Sequence, residues 1–348
     1  MTRSAPRRVV VDLAATAKSW SLPAWGADAI RAATPEGWEV YVVQDSTVSD
    51  GDGSGGVGAE VLDAARPAEV YFGYGLSPQL FDAAPRLQWV HSAAAGVARL
   101  LFPAMRASDV KLTNSAGVMG DTIAEHVVGG LIYLLRSFDV AVRLQDRRIW
   151  DKESFVESPG AVKELNECRA LIVGTGGIGA GLGWRLSALG ARCIGVRRRP
   201  ELGVPRGFDR VVGPDGLDAE LPRADIIALT TPLTGATQTL LTGARMDCLP
   251  HGAIVVNVAR GALLDESALI QRLARGSLRG AVLDVFREEP LPPDSPLWGF
   301  RQVLITPHVA AVSPRRFWER ELELFLDNWV RYRRGDPLRN LVDKEAGY

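Results

Sequence analysis

Short apolar runs alternate along the chain with longer segments in which apolar residues recur at helical spacing. In the first third of the chain these runs fall at residues 9–11, 40–43, 70–72, 87–90 and 111–112. Strands buried in a parallel sheet appear as continuous apolar runs, and the connection between two of them is usually a helix. The alternation therefore predicts βα units around a parallel sheet.

A second alternating series follows a polar stretch at residues 143–165. Its predicted strands are residues 170–174, 193–196, 225–230, 253–257, 280–284 and 303–305. Between the two series, residues 120–136 are apolar on more than one side, which predicts a buried connecting or subunit-interface helix. A last helix is predicted to begin at Pro314 with Ser313 as its N-cap, and residues 336–343 are predicted to be irregular.

Residues 50–58 are rich in glycine and aspartate, and their spacing imitates the start of an EF-hand calcium loop. The twelfth position of such a loop needs a bidentate glutamate, whereas this chain has Val61 there. We therefore expect a flexible surface loop at residues 50–58, and we predict no metal site.

Length, charge and cysteine content limit the location and the partners. The 348 residues correspond to about two domains at roughly 150 residues each. Lysine and arginine number 40 against 41 aspartate and glutamate, a net charge of −1, so no overall basic field favours nucleic acid or an anionic membrane. No apolar run approaches the roughly 20 residues of a membrane span. The 3 cysteines include no CxxC pair, so we expect a cytoplasmic protein without a disulfide framework or zinc knuckle.

A glycine-rich turn links the first strand of the second series to a helical segment predicted at residues 182–189. Its sequence matches the GxGxxG pattern of dinucleotide-binding folds. Gly174 permits the tight turn, Gly176 lets the backbone approach a pyrophosphate, and Gly179 allows close packing of helix on strand. The N-terminus of the helix would face the anion. The predicted cofactor contacts in this turn are Gly174, Gly176, Gly177, Ile178 and Gly179.

Three arginines stand at the end of the second strand of this series, where NAD-binding proteins usually carry an acidic residue for the ribose 2′-hydroxyl. Arg197 lies 18 positions beyond Gly179, and Arg198 and Arg199 follow it. A carboxylate here would repel a 2′-phosphate, whereas guanidinium groups can hold it through paired hydrogen bonds. We therefore predict that Arg197 and Arg198 bind NADP(H) in preference to NAD(H). The alternative is a solvated basic turn.

Several motifs follow the glycine-rich turn in the second half of the chain. They lie at residues 257–269, 280–292, 296–298 and 306–308. Thinner matches lie in the first half, at residues 94–97, 114–117 and 124–126. In their order and approximate spacing, these motifs resemble the D-isomer-specific 2-hydroxyacid dehydrogenase family. The resemblance identifies the reaction class much better than the substrate.

The resemblance implies a catalytic set whose residue types suit the reaction. Reduction of a 2-keto acid needs a cation for the carboxylate and carbonyl, a proton donor for the developing alkoxide, and a nicotinamide on the opposite face. Arg260 matches the family's substrate arginine, and His308 matches its acid/base, with an ordinary pKa of about 6.5. Glu289, which immediately precedes Pro290, matches the carboxylate that orients the imidazole. Taken singly, each residue could be structural or merely solvated, and the intact motif order favours the catalytic role.

The family implies further contacts. Asp284 resembles the residue that bonds the nicotinamide carboxamide, and Thr230 stands where many members have histidine. Other implied cofactor contacts are Thr231, Pro232, Thr237, Val258 and Ala259. Residues 94–97 match the turn whose backbone amides receive the substrate carboxylate, where small side chains are needed. The predicted substrate contacts are Ala95, Gly96, Arg260 and His308.

We therefore predict an α/β protein with two doubly wound parallel-sheet (Rossmann/flavodoxin-like) domains and a cleft between them. Residues 1–117 and 314–348 are predicted to form a discontinuous substrate domain, and residues 118–313 the dinucleotide-binding domain. The resemblance implies a homodimer formed through the helix after Gly120. It also implies reduction of a small 2-keto acid, of the glyoxylate or hydroxypyruvate type, with NADPH. Two alternatives stay open. One is a non-catalytic nucleotide-sensing protein related to the family's corepressors, and the other is a nicotinamide enzyme that oxidises an inorganic or one-carbon substrate.

Overall fold

The computed structural model describes residues 7–45, 57–157 and 162–347, so most of the predicted loop at residues 50–58 lies outside the described part. The chain forms two compact units. One comprises Met1–Val118 with Ser313–Tyr348, and the other comprises Met119–Val312.

The first unit is built on a parallel sheet of five strands. They are β1 (Arg7–Asp12), β2 (Trp38–Val42), β3 (Ala68–Gly73), β4 (Trp89–Ser92) and β5 (Lys111–Asn114). The connecting helices are α1 (Ala24–Ala32), α2 (Ala59–Ala65), α3 (Pro78–Ala83) and α4 (Pro103–Ala107). The spatial order is β2-β1-β3-β4-β5, and Val9, Val70 and Val90 are fully buried in the strands that their apolar runs predict.

The second unit is built on a parallel sheet of seven strands. They are β6 (Arg169–Val173), β7 (Arg192–Val196), β8 (Arg210–Val212), β9 (Ile226–Leu229), β10 (Ala253–Asn257), β11 (Leu278–Leu283) and β12 (Val303–Ile305). The helices of this unit are α5 (Gly120–Leu135), α6 (Phe138–Asp146), α7 (Glu153–Val156), α8 (Gly177–Ala188), α9 (Leu217–Glu220), α10 (Gly243–Asp247) and α11 (Glu266–Ala274). The spatial order is β12-β11-β10-β9-β6-β7-β8. The chain builds the sheet outward from β6 in one direction through β7 and β8, and then in the other direction from β9 to β12. The prediction of two doubly wound parallel sheets is therefore confirmed.

The C-terminal helix, α12 (Pro314–Arg334), belongs to the first unit. Phe325 on this helix is fully buried and stacks on Phe72 of β3, with a ring-centroid distance of 4.2 Å. After α12, Leu341 forms an isolated antiparallel bridge with Thr113 of β5. None of the helices in the described ranges combines the length and apolar character that crossing a membrane requires.

Two details of the predicted elements differ from the structure. Helix α8 begins at Gly177, well before the predicted start at residue 182. Strand β8 was not predicted. The predicted start of α12 is confirmed, with Ser313 at the N-cap and Pro314 at the first helical position, although the Ser313 side chain accepts no capping hydrogen bond.

Candidate active site

The glycine-rich turn joins β6 to α8 in a conformation that larger residues would not permit. Gly174 has a φ of +100°, and a Cβ atom there would lie 2.8 Å from the backbone of Thr230. A Cβ atom at Gly179 would lie 1.8 Å from the Gly174 carbonyl oxygen, so the helix packs directly on the turn. Among the described residues, nothing lies within 4 Å of a Cβ built at Gly176. The turn therefore has a tight base and one side open to a ligand.

The start of α8 and the end of β9 complete this edge of the sheet. Gly177 and Ile178 form the first turn of α8, where the leading N–H groups of a helix have no acceptor within it. Thr230 is buried, and its hydroxyl lies 2.7 Å from Gly174 O and 3.1 Å from Val173 O. Thr230 therefore ties the end of β9 to the turn. The sequence only marked this position as a departure from the family pattern.

The segment that carries the predicted cofactor contacts Thr231, Pro232 and Thr237 is held by its own hydrogen bonds. Thr237 Oγ1 donates to Pro232 O at 2.7 Å and accepts from Thr234 N–H at 2.7 Å. Thr231 and Thr237 are half-buried, whereas Pro232 is exposed. These residues form one hydrogen-bonded loop at the carboxyl end of β9.

The three arginines that were predicted to face a 2′-phosphate follow β7. The Arg197 N–H donates to Val212 O at 3.1 Å, and the Arg197 guanidinium donates to Gly203 O. Arg198 and Arg199 are exposed. The turn therefore holds the first guanidinium on itself, whereas the next two residues are exposed.

Asn257 fixes the loop that carries Arg260 at the end of β10. The buried Asn257 side chain donates to Arg260 O at 2.9 Å and accepts from Ala259 N–H at 3.2 Å. Val258 and Ala259 are buried. The Arg260 side chain is exposed, and its Nη1 donates to Ala259 O at 2.6 Å. The loop thus presents the guanidinium to solvent from a fixed backbone.

A close backbone contact joins the Arg260 loop to the loop that carries Glu289. A Cβ atom at Gly261 would lie 1.9 Å from Phe286 C and 2.4 Å from Arg287 N. Only glycine lets two backbones approach this closely. The Phe286 N–H in turn donates to Glu289 Oε1 at 2.9 Å. The contact between Gly261 and Phe286 therefore fixes the Arg260 loop relative to the loop that holds Glu289.

His308 and Glu289 form a hydrogen-bonded pair. His308 Nδ1 lies 2.8 Å from Glu289 Oε2, and the two side chains are 48% and 36% exposed. The hydrogen bond with Glu289 raises the pKa of His308 above its ordinary value, against the opposing effects of partial burial and of the Arg260 charge. Partial burial acts to raise the pKa of Glu289, but hydrogen bonds from His308 and the Phe286 N–H lower it overall. The pair therefore favours an imidazolium beside a carboxylate.

Asp284 holds the loop that carries His308. Its buried carboxylate accepts from Thr306 Oγ1 at 2.5 Å, from Val309 N–H at 2.9 Å and from Ala310 N–H at 3.0 Å. Its main-chain oxygen accepts from the His308 N–H at 2.9 Å. A contact with a nicotinamide carboxamide would use the acceptor capacity that remains on this carboxylate.

His126 on α5 extends this arrangement, because its Nε2 lies 3.2 Å from Thr306 Oγ1. The sequence placed both residues in matched motifs but assigned a role to neither. A pair separated by 180 positions along the chain gives no local signal of contact.

In the first unit, the predicted substrate turn follows β4. Ala95 and Gly96 are exposed, and Asn114 Nδ2 donates to Ala95 O at 2.8 Å. Within the part of the chain that the structure describes, the N–H groups of Ala95 and Gly96 have no acceptor. Successive exposed N–H groups can receive an anion such as a carboxylate.

The chain is similar to known dehydrogenases and reductases. Residues 128–310 match the family model of the D-isomer specific 2-hydroxyacid dehydrogenase, NAD binding domain. Glyoxylate/hydroxypyruvate reductase A from Salmonella newport is 31% identical over 271 residues, which cover 76% of this chain and 82% of the relative. Glyoxylate reductase from Thermofilum pendens is 30% identical over 274 residues, which cover 78% of this chain and 79% of the relative. The solved structure of an NADPH-dependent glyoxylate/hydroxypyruvate reductase from Sinorhizobium meliloti, in complex with NADP and sulfate, has a TM-score of 0.77 at 28% identity and covers 98% of this chain and 100% of that chain.

Proposed function

The chain belongs to the D-isomer specific 2-hydroxyacid dehydrogenase family, and from this premise we propose that it reduces small 2-keto acids of the glyoxylate or hydroxypyruvate type with NADPH. As a member of the family it is an oxidoreductase with an NAD-binding domain. The names of the Salmonella and Thermofilum relatives support this substrate class. They also favour an oxidoreductase over a non-catalytic nucleotide-sensing protein.

The observation that carries the proposal is the His308–Glu289 pair, together with the Gly261 contact that joins the Arg260 loop to the Glu289 loop. The nicotinamide supplies the hydride when it is bound. Arg260 pairs with the substrate carboxylate and carbonyl oxygen, which orients and polarises the carbonyl. His308 Nδ1 is engaged by Glu289, so the proton on Nε2 is donated to the developing alkoxide. Glu289 keeps the imidazole charged and oriented for that transfer.

The carboxyl edge of the second sheet fits a dinucleotide. The open side of the turn at Gly176 and the leading amides of α8 suit a pyrophosphate, which residues 174 and 176–179 would hold. The remaining cofactor contacts that we assign are Thr231, Pro232, Thr237, Val258, Ala259 and Asp284. The exposed guanidinium of Arg198 suits a 2′-phosphate, and Arg197 supports the same turn through Gly203. The NADPH dependence of the Sinorhizobium relative supports the preference for NADP(H).

The first unit is assigned to the substrate. The exposed N–H groups of Ala95 and Gly96 suit the carboxylate of a small acid, because neither side chain keeps the backbone from the ligand. On this assignment, Met119–Val312 is the dinucleotide-binding domain, and the unit of Met1–Val118 and Ser313–Tyr348 is the substrate domain.

Exposed apolar side chains support a homodimer. Phe138 and Val142 on α6 are about half exposed, and Trp150, which follows this helix, is 93% exposed. Phe138 and Val142 are four positions apart and share one face of α6, and a second copy of the chain is assigned to cover this face together with Trp150. The three cysteines are unpaired, which supports a reducing, cytoplasmic location. The net charge of −1 supports the absence of a nucleic-acid partner.

A panel of 2-keto acids assayed with NADPH and with NADH tests the proposal. We expect turnover of glyoxylate or hydroxypyruvate, a higher kcat/KM with NADPH, and loss of turnover in Arg260→Ala. The Arg198→Ala variant should raise the KM for NADPH while leaving the KM for NADH unchanged, because only NADPH carries the 2′-phosphate.

Different results would refute the activity, the substrate class and the cofactor preference. No turnover on any keto acid by a chain that still binds NADPH would support the non-catalytic alternative. Turnover confined to an inorganic or one-carbon substrate would support the other alternative. An NADH-dependent kcat/KM equal to or above that with NADPH would refute the cofactor preference.

A further inference from the structure

A chain of hydrogen bonds leads from helix α5 to the loop that carries His308. His126 Nε2 lies 3.2 Å from Thr306 Oγ1, and Thr306 Oγ1 lies 2.5 Å from Asp284 Oδ1. Asp284 is 2% exposed, so its carboxylate depends on protein donors for its stabilisation. The three side chains come from α5, from the end of β12 and from the end of β11.

The donor of each hydrogen bond in this series can be assigned by counting protons. A threonine hydroxyl has one proton, and an ionised carboxylate can only accept. The short distance to Asp284 Oδ1 therefore places the Thr306 proton on that bond. Thr306 Oγ1 must then accept from His126, which carries a proton on Nε2. Each hydrogen bond in the series is therefore donated in the same direction, from His126 to Thr306 and from Thr306 to Asp284.

The last hydrogen bonds of this series join Asp284 to the backbone of residues 308–310. The Asp284 carboxylate accepts from the N–H groups of Val309 and Ala310, and the Asp284 main-chain oxygen accepts from the His308 N–H. His308 has a φ of +54°, in the left-handed region that residues other than glycine rarely adopt. Such a conformation persists where surrounding hydrogen bonds determine it, and Asp284 supplies these bonds.

We propose that His126 and Thr306 are positioning residues for the proton donor. They orient the Asp284 carboxylate so that it holds residues 308–310 in the conformation in which His308 meets Glu289. This inference rests on the proposed function, because it takes His308 as the group that delivers the proton. Both residues act through Asp284, and neither is assigned a chemical step.

Two matched pairs of variants of the full chain test this inference. Thr306→Val removes the hydroxyl and keeps the shape, whereas Thr306→Ser keeps the hydroxyl. His126→Leu removes the donor, whereas His126→Gln keeps an N–H donor at about the position of Nε2. Steady-state reduction of a 2-keto acid is measured across the pH range in which histidine titrates, with kcat and KM determined separately at each pH.

We expect Thr306→Val to lower kcat about 10- to 100-fold, because a displacement of about 1 Å in an aligned group can cost about 100-fold. The basic limb of its pH profile moves to lower pH, because His308 loses part of the contact with Glu289 that raises its pKa. A rise in the KM for NADPH is also expected, because Asp284 is an assigned nicotinamide contact, but only the weakened contact with Glu289 moves the pH profile. His126→Leu gives a smaller change in the same direction, and the serine and glutamine variants stay within about twofold of the parent chain.

A second measurement does not depend on turnover. NMR titration of the His308 imidazole should give a lower pKa in Thr306→Val than in the parent chain, and an unchanged pKa in Thr306→Ser. If the parent chain reduces no keto acid and this shift is still seen, the proposed function fails and the positioning role stands. If Thr306→Val does not fold, as judged by circular dichroism, His126→Leu provides the same comparison.

Three results would overturn the inference. The first is a folded Thr306→Val enzyme with the kcat and pH profile of the parent. The second is an equal loss in the valine and serine variants. The third is a fall in kcat without movement of either the pH profile or the His308 titration, because that pattern indicates a structural role only.

Discussion

The close contact at Gly261 lets the effect of a Gly261→Ala substitution on stability and activity be calculated from the geometry. In Gly261→Ala the added methyl group would lie 1.9 Å from Phe286 C and 2.0 Å from Phe286 O. Real Cβ atoms essentially never approach closer than 3.0 Å, so the two backbones must separate by about 1.1 Å, the difference between 3.0 and 1.9 Å. Overpacking of this kind costs about 1–3 kcal/mol of the free energy of unfolding.

The same displacement separates the Arg260 loop from the loop that holds Glu289. A misplacement of about 1 Å in an aligned site can cost about 100-fold in rate, which corresponds to about 2.7 kcal/mol of activation free energy. We therefore expect kcat/KM for keto acid reduction to fall about 100-fold. The melting temperature should fall by about 2–12 °C, at about 2–4 °C for each kcal/mol in a unit of this size.

Steady-state kinetics and thermal unfolding measure the two effects, with Gly299→Ala as the matched control. Gly299 is exposed, and a Cβ atom built there meets nothing within 4 Å among the described residues. The control should keep the parent's activity and melting temperature. If Gly261→Ala also keeps both, the reasoning that this contact positions the site is wrong.

Three further variants test other parts of the account. Glu289→Gln should lower the pKa of His308, so that reduction, which needs the charged imidazole, is lost at a lower pH than in the parent chain; an unmoved basic limb would contradict this. Thr230→Val should lower the free energy of unfolding by about 1–3 kcal/mol in a denaturant titration, because Gly174 O loses its donor, whereas Thr230→Ser should not. Trp150→Glu combined with Phe138→Glu should give a monomer in light scattering, and a dimer of unchanged stability would place the interface elsewhere.

The strands could be predicted because their residues follow a local pattern, whereas the start of α8 could not. Gly177, Gly179, Gly181 and Gly183 lack the apolar side chains that define a helical period, and glycine has a low helix propensity. Packing requires glycine at two of these positions, Gly179 and Gly183. A Cβ at Gly183 would lie 2.3 Å from the Phe208 ring, and a Cβ at Gly120 on α5 would lie 2.6 Å from Gly177 O. Tertiary contact therefore overrides local preference in this helix.

In the candidate site, too, some residues could be predicted from local sequence and others could not. Gly174, Arg260 and His308 fall in short motifs whose residue types point to their chemistry. Thr230 and Thr306 act through hydrogen bonds to groups that are distant along the chain, namely Gly174 O and the Asp284 carboxylate. Because a threonine hydroxyl is compatible with many environments, its partner can be identified only from the folded chain.

His308, charged beside Glu289, is the proposed proton donor in keto acid reduction. The most direct measurement is kcat/KM for glyoxylate reduction by NADPH as a function of pH, for the parent chain and for His308→Gln. We expect a parent rate that is constant at low pH and falls as pH rises through the raised pKa of His308. The variant should be about 10²- to 10⁴-fold slower and should have lost that dependence. A His308→Gln enzyme with the parent's rate and pH profile would contradict the claim.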